Sequence, residues 1–285
     1  MVSLKVIRKR ITSVRNTQQI TRAMKMVAAA KLRRAQERVE GARPYAAKLS
    51  ELLGVVASRA PARRHPLLGR GSDSPPHVVV LSSDRGLCGG YNTNVNKTAE
   101  RFLESEEGRG ARLTICGRRG NDFFKLRENP IDVVHESRAG GLDGALAQEV
   151  ASDVTRRFVD GEAGSVYLVF SRFRSAVSQE PVVEKILPIH PPGGTGGPPR
   201  DFLFEPDVEV LLASLLPRFV STLVLQAMLE ATASEHGSRM TAMDSASRNA
   251  SEMLDSLTLQ MNKARQATIT NELMEIIGGA EALGG

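Results

Sequence analysis

Tryptophan is absent from this 285-residue chain, and tyrosine occurs three times. Single-stranded nucleic acid is held largely by stacking on aromatic side chains, so that class of binder is disfavoured. Cysteine is scarce too. Cys88 and Cys116 lie mid-chain and apart, which fits a reducing compartment and buried or loop thiols better than a disulfide or a metal site. No stretch of about 18 uncharged apolar residues is found, so the chain is not expected to span a bilayer. The start, MVSLKVIRKR, is basic, but no apolar run of sufficient length follows it, so no secretory signal is expected. His65, His77, His135, His190 and His236 are scattered. No His/Cys/carboxylate group has metal-ligand spacing and no nucleophile–base pair can be argued, so no catalytic residue, cofactor or metal is assigned.

What is present is a long helical stripe. From Leu4 the positions Ile7, Ile11, Val14, Gln18, Thr21, Lys25, Ala28, Leu32, Ala35, Val39, Ala42, Ala46, Leu49, Leu53 and Val56 follow by steps of three and four. That spacing predicts one helix with a coiled-coil seam, roughly 80 Å long at helical rise. Such a helix is longer than a small domain is wide and needs a partner for its seam.

Charge is distributed unevenly. Residues 1–70 carry 17 Lys and Arg against 3 Asp and Glu, whereas the chain from Asp207 onward carries 5 against 10. A basic and an acidic helix suit each other as coiled-coil neighbours.

Between them, residues 57–76 are rich in Pro, Gly and Arg and end the first helix. Short β-branched runs follow near 77–81, 112–117, 131–135, 165–173 and 181–189, with helical patterns at 92–107 and 142–159. Strands alternating with helices predict a compact α/β layer, parallel at its start, with the last two strands able to pair antiparallel at an edge. The segment 190–200, rich in Pro and Gly, reads as a surface loop. A second helix is expected from about 207 to the end, bending at Pro217 and carrying Phe219, Leu223, Met240, Met243, Ala250, Leu254, Leu257, Met261 and Ala264. The domains are therefore 1–60, a coiled-coil helix; 77–190, a central Rossmann-like α/β domain; and 207–285, the second coiled-coil helix.

The central domain returns the chain, so the helices should run antiparallel. With Val56 opposite about Val210, Leu4 falls opposite about Asn262, and Met24 near Met243. The last ~20 residues then overhang by roughly 30 Å. They carry Ile269, Leu273, Ile276 and Ile277 without an intramolecular partner, and an exposed apolar helix end signals another protein.

Four blocks carry a family resemblance: IRKRITSVRNTQQITRAMKMVAAAKLRRAQ, DRGLCGGYN, LLPRFVSTLVLQAMLEATASEHGSRMTAM and NKARQATITNELMEIIGGA. In this order they resemble the γ subunit of rotary F-type ATP synthases, and the likeness weakens in the loops 57–76 and 190–200. The absence of a cysteine-bearing insertion of chloroplast type, and of a transit peptide before Val2, suggests a bacterial member. The resemblance implies a non-catalytic central-stalk rotor, one copy per complex. Its helix pair would pass through a hexameric ring of α and β subunits, with the α/β domain on the ε subunit and the membrane c-ring. Proton translocation would then be coupled to ATP synthesis or hydrolysis by rotation, at the cytoplasmic face of the inner membrane as a peripheral protein. In that family's pattern Arg22, Met24 and Lys25 fall in the zone facing the β subunits. Arg265 and Gln266 would bond a β-subunit loop, Thr270 and Leu273 lie in the terminal signature that meets the α/β ring, and Ile276 and Ile277 belong to the end seated in the ring's apolar sleeve.

Bland readings stand beside these. The polar layer Gln18, Thr21 and Lys25 could simply specify helix register. Arg265 could be a solvated charge, although its fork suits a carboxylate partner. The glycine-bearing segment 84–90, between a strand and a helix, invites a phosphate-loop reading. It lacks the GxGxxG spacing and the Walker lysine, so a tight turn is expected instead. Two other functions are open: a Rossmann-type nucleotide-using enzyme with helical arms, and a basic coiled-coil nucleic-acid binder.

Overall fold

A computed structural model describes residues 4–59, 65–69, 71–136, 142–190 and 207–283. The loop expected at 190–200 and the middle of 57–76 fall outside them. Helix α1 spans Leu4–Arg59, followed by a 3-10 turn at Pro66–Leu68. Then come β1 His77–Leu81, α2 Tyr91–Glu104, β2 Arg112–Cys116, α3 Arg118–Phe124, β3 Ile131–His135, α4 Gly144–Val159, β4 Val166–Phe173 and β5 Gln179–Leu187. Helix α5 runs from Val208 to Leu283, continuing through Pro217 and Gly237. Neither α3 nor the 3-10 turn has a sequence expectation: seven and three residues are too few to show a helical period.

The strands form one sheet in the order β3-β2-β1-β4-β5, parallel except for β5, which pairs antiparallel with β4 at the edge. Every residue of β1 is buried, as a central parallel strand covered on both faces requires. Alternate residues feed opposite cores. Val78, Val80, Leu113, Ile115 and Val169 face α2 and α3 through Val95, Ala99, Leu103 and Phe124. Val79, Leu81, Leu168 and Phe170 join a second core with α4, the Leu49–Leu53–Val56 stretch of α1, and Leu212, Leu216, Val220, Val224 and Met228 of α5.

Within α5 lies a segment long and apolar enough, by length and composition alone, to cross a membrane, although charges interrupt it and no run of about 18 uncharged apolar residues is found there. Many of its side chains are used in the second core.

By compactness the chain divides into two units. One comprises Ala28–Arg239; the other joins the chain up to Val27 with the chain from Met240 onward. Both cysteines are free and buried. Burial pushes the Cys116 thiol up to about 12 and raises that of Cys88.

Candidate partner-binding surface

All sixteen seam positions of α1 are covered at least in part. Ile7, Thr21, Ala28, Leu32, Ala35, Val39, Leu49, Leu53 and Val56 are buried. On α5 the same spacing appears at Met243, Ala250 and Leu257, buried, and at Leu254, Met261 and Ala264, half-buried. In the unit joining the chain ends, Lys25 Nζ lies 2.5 Å from Asp244 Oδ1. Within the Ala28–Arg239 unit, Leu49, Leu53 and Val56 of α1 share a core with Leu212, Leu216 and Val220 of α5, while Lys31 lies near His236, whose pKa is lowered by burial first and by Arg239 and Lys31 after it. In that unit moving up α1 moves down α5, so these stretches run antiparallel. The Lys25–Asp244 pair lies two residues from the register expected for Met24 and Met243.

Two side chains of the polar layer, Thr21 and Lys25, find partners within the chain. Thr21 Oγ1 donates to the Gln18 carbonyl at 3.0 Å, as a hydroxyl on a helix commonly does. The Lys25 ammonium holds the Asp244 carboxyl below the usual carboxylate range, with its hydrogen bond the largest cause and Arg248 adding charge. Both side chains keep more than a third of their surface exposed, so the pair contributes little to stability. Asp244 is a site neighbour that sequence reasoning missed; an acidic residue at a seam-flanking position opposite Lys25 was the available signal. Met24 is half-buried beside it and Arg22 is exposed. Ile20, Met26 and Val27 add exposed apolar surface nearby, also missed because they lie off the seam.

Past Ala264 the covering stops. Arg265, Gln266 and Thr270 are exposed, as are Ile269, Leu273, Met274, Ile276 and Ile277. Among the described side chains from Arg265 to Ile277 none is even half-buried. Apart from helix backbone, the hydrogen bonds among the described residues there are local, Thr268 Oγ1 donating to the Ala264 carbonyl and Thr270 Oγ1 to the Gln266 carbonyl, both at 2.9 Å. The expected overhang is therefore observed, and its seam ends within about half a turn of the position predicted from helix rise.

The turn at 84–90 lies at the carboxyl end of β1, beside that of β4. In doubly wound sheets ligands enter at this crevice, where the strand order reverses. Here α5 occupies it. Ser234 Oγ donates to the Ser171 carbonyl at 2.8 Å, and Ser238 Oγ to the Cys88 carbonyl at 2.6 Å. Arg239 donates to the carbonyls of Arg85 and Gly86 at 3.4 and 3.3 Å. The turn joins strand to helix as expected, with Gly89 at φ +56° and Leu87, unusually for a leucine, at φ +60°. Among the described residues no group of three or more His, Cys, Asp or Glu is arranged to hold a metal.

A family model described as ATP synthase matches residues 3–283. The ATP synthase gamma chain of Anaeromyxobacter sp. (strain Fw109-5) is 48% identical over 289 residues, covering 99% of this chain and all of that one. That of Moorella thermoacetica is 46% identical over 288 residues, with 99% and 100% covered. Among solved structures, a chain of the Euglena gracilis mitochondrial ATP synthase, in an OSCP/F1/c-ring assembly, matches with a TM-score of 0.67 at 20% identity. It covers 98% of this chain and 94% of that one. One from the Tetrahymena thermophila mitochondrial ATP synthase, described as central stalk/c-ring, matches with a TM-score of 0.59 at 23% identity, covering 80% and 99%. The structural likenesses establish a shared fold. The family model and the full-length sequence relatives go further, and the chain belongs to the ATP synthase gamma-chain family.

Proposed function

We propose that this chain is the central-stalk rotor of an F-type ATP synthase, non-catalytic itself, with one copy turning inside a ring of α and β subunits. Its α/β domain would meet the ε subunit and the membrane c-ring at the cytoplasmic face of the inner membrane, as a peripheral protein. Ion flow through the ring would turn the shaft and drive ATP synthesis; hydrolysis would turn it back. The observation that carries this reading is the far end of α5, where apolar side chains extend in the open beyond the last covered seam position. A single helix with Ile269, Leu273, Ile276 and Ile277 exposed is costly in water unless another protein covers it. An apolar sleeve holds such a tip without directional bonds and so tolerates rotation. Turning an asymmetric shaft changes which β subunit receives which contacts, and each β conformation is favoured in its turn.

Arg22, Met24 and Lys25 would face the β subunits, as would Arg265 and Gln266 at the point where the helix pair becomes a single helix. Thr270, Leu273, Ile276 and Ile277 would fill the sleeve. The direct test is co-purification of the tagged chain with α and β subunits, followed by an ATPase assay with and without it. Failure to co-purify, or activity indifferent to the chain, would refute the rotor reading.

Two substitutions probe the interface. Met24→Lys places a second ammonium next to Lys25, competing for Asp244 and for any acidic loop on β. The ratio of protons pumped to ATP hydrolysed is expected to fall, and an unchanged ratio removes Met24 from the interface. Arg265→Ala removes an exposed fork that has no bonding partner among the described residues. Loss of one charge-assisted bond, about 1.5–3 kcal/mol, is expected to slow turnover of the reconstituted complex about tenfold or more, while the melting temperature of the isolated chain stays the same. Unaltered turnover would show Arg265 to be only a solvated charge.

A further inference from the structure

The crevice at the carboxyl ends of β1 and β4 is sealed by one short stretch of α5, and this contact differs in kind from the rest of the helix–sheet packing. Lower on α5, Leu212, Leu216, Val220, Val224 and Met228 are buried, while Leu211, Leu215, Leu223 and Leu225 beside them are half-buried against the same core. Such a helix is apolar over a wide arc. Apolar attraction is non-directional, so rolling this stretch about its own axis exchanges one leucine for another at modest cost. Something else must fix its rotational setting.

The directional contacts are concentrated at 234–239. Ser234, fully buried, bonds the end of β4; Ser238 bonds the turn after β1; Arg239 reaches two carbonyls of that turn. Gly237 lies between them, where an added Cβ would touch the Ala176 carbonyl and the Phe173 ring at 3.4 Å. Those are ordinary contact distances, so the helix already lies against the end of β4 here. Arg239 is itself held, 2.6 Å from Glu235 and 3.3 Å from His236 Nδ1, with only 11% of its side chain exposed. The acceptors are firm as well. They are backbone carbonyls, and the turn that carries them is tied by Ser83 Oγ donating to the Arg85 carbonyl at 2.7 Å and by the Asn92 amide bonding Cys88 Sγ at 3.2 Å.

We propose that this clasp, made by Ser234, Ser238 and Arg239 on the carbonyls at the ends of β1 and β4, is the torsional joint of the molecule. It locks the sheet against rolling about α5, so that torque applied to the sheet passes into the helix. The torque half of this inference rests on the rotor reading; the clasp itself does not.

The test compares the parent with a Ser238→Ala/Arg239→Ala double variant. In the free full-length chain, amide hydrogen exchange over 84–90 is expected to quicken ~10-fold, the scale set by losing hydrogen bonds that restrain the turn. In the complex reconstituted with α, β, ε and the c-ring, protons pumped per ATP hydrolysed are expected to fall. Arg239→Lys, which keeps the charge beside Glu235 but loses the fork, should show the same defect more weakly. Should the double variant not fold, Ser238→Ala alone removes a single hydroxyl and serves for the same comparison. Unchanged exchange over 84–90 overturns the clasp. Faster exchange with an unchanged pumping ratio overturns the joint. A parent chain that leaves ATP hydrolysis by α and β unaffected refutes the rotor reading and the torque half together, while exchange in the free chain still decides on the clasp.

Discussion

Deleting residues 269–285 is expected to leave the rest of the chain as stable as before and to loosen its hold on the α and β subunits. The side chains of Ile269, Leu273, Met274, Ile276 and Ile277 are between 48% and 68% exposed, so the isolated chain gains little from their packing. Its melting temperature should therefore stay where it is, and the sheet should keep its fold. Seated in an apolar sleeve, each fully covered Ile or Leu would contribute roughly 1.5–3 kcal/mol. Losing four of them should speed dissociation of the reconstituted complex by well over ~10-fold and lower the torque measured on single rotating molecules. Two outcomes contradict this account: a collapse of the melting temperature, which would mean the tail packs on its own chain, and undiminished torque with unchanged dissociation.

Asp132→Ala is expected to have the largest effect on stability. Asp132 sits on β3 with its side chain 6% exposed and binds two guanidinium groups. Arg112 of β2 donates to it at 2.9 and 2.5 Å, and Arg157 of α4 at 2.7 Å. Arg157 is 13% exposed and also bonds Asp153 at 2.8 Å. Removing the carboxylate leaves a mostly buried guanidinium short of one partner and frees the edge strand from α4. Breaking a buried pair on one side costs about 3 kcal/mol at the lower end of the usual range, and the retained Asp153 argues for that end. The urea midpoint should fall accordingly, and a shift under a quarter of that size would show the network to be only a surface feature.

Acid provides the control. Burial pushes the Asp132 and Asp153 carboxyls up, but their arginine partners outweigh it and hold both below the usual carboxylate range. A carboxylate whose folded-state pKa is depressed contributes stability above its unfolded value, near 4. That contribution is lost as pH falls through the lower folded-state value. The difference between parent and Asp132→Ala should therefore shrink as the pH is lowered below about 4.

Much of this molecule was legible before any coordinates, because its largest elements are written in local periodicity. The α1 seam at Ile7, Ala28, Leu32 and Leu53 emerges buried where the three–four spacing put it. The five strands lie within a few residues of their β-branched runs, and the antiparallel hairpin at β4 and β5 follows from how closely the two runs succeed each other. The uncovered end of α5 came from arithmetic on helix rise. What went unseen was short or long-range. The seven residues of α3 carry no period.

By itself, then, the order of residues determined two long helices, a sheet between them and an unpartnered tip, since periodicity and rise depend only on neighbours along the chain. Tertiary structure alone decided that Lys25 meets Asp244, that Asp132 gathers Arg112 and Arg157, and that Ser238 and Arg239 close the crevice over Cys88 and Arg85. These partners stand from 20 to more than 200 positions apart. Which of many similar charges and hydroxyls meet is settled only when the chain folds back on itself and burial makes each unpaired group costly.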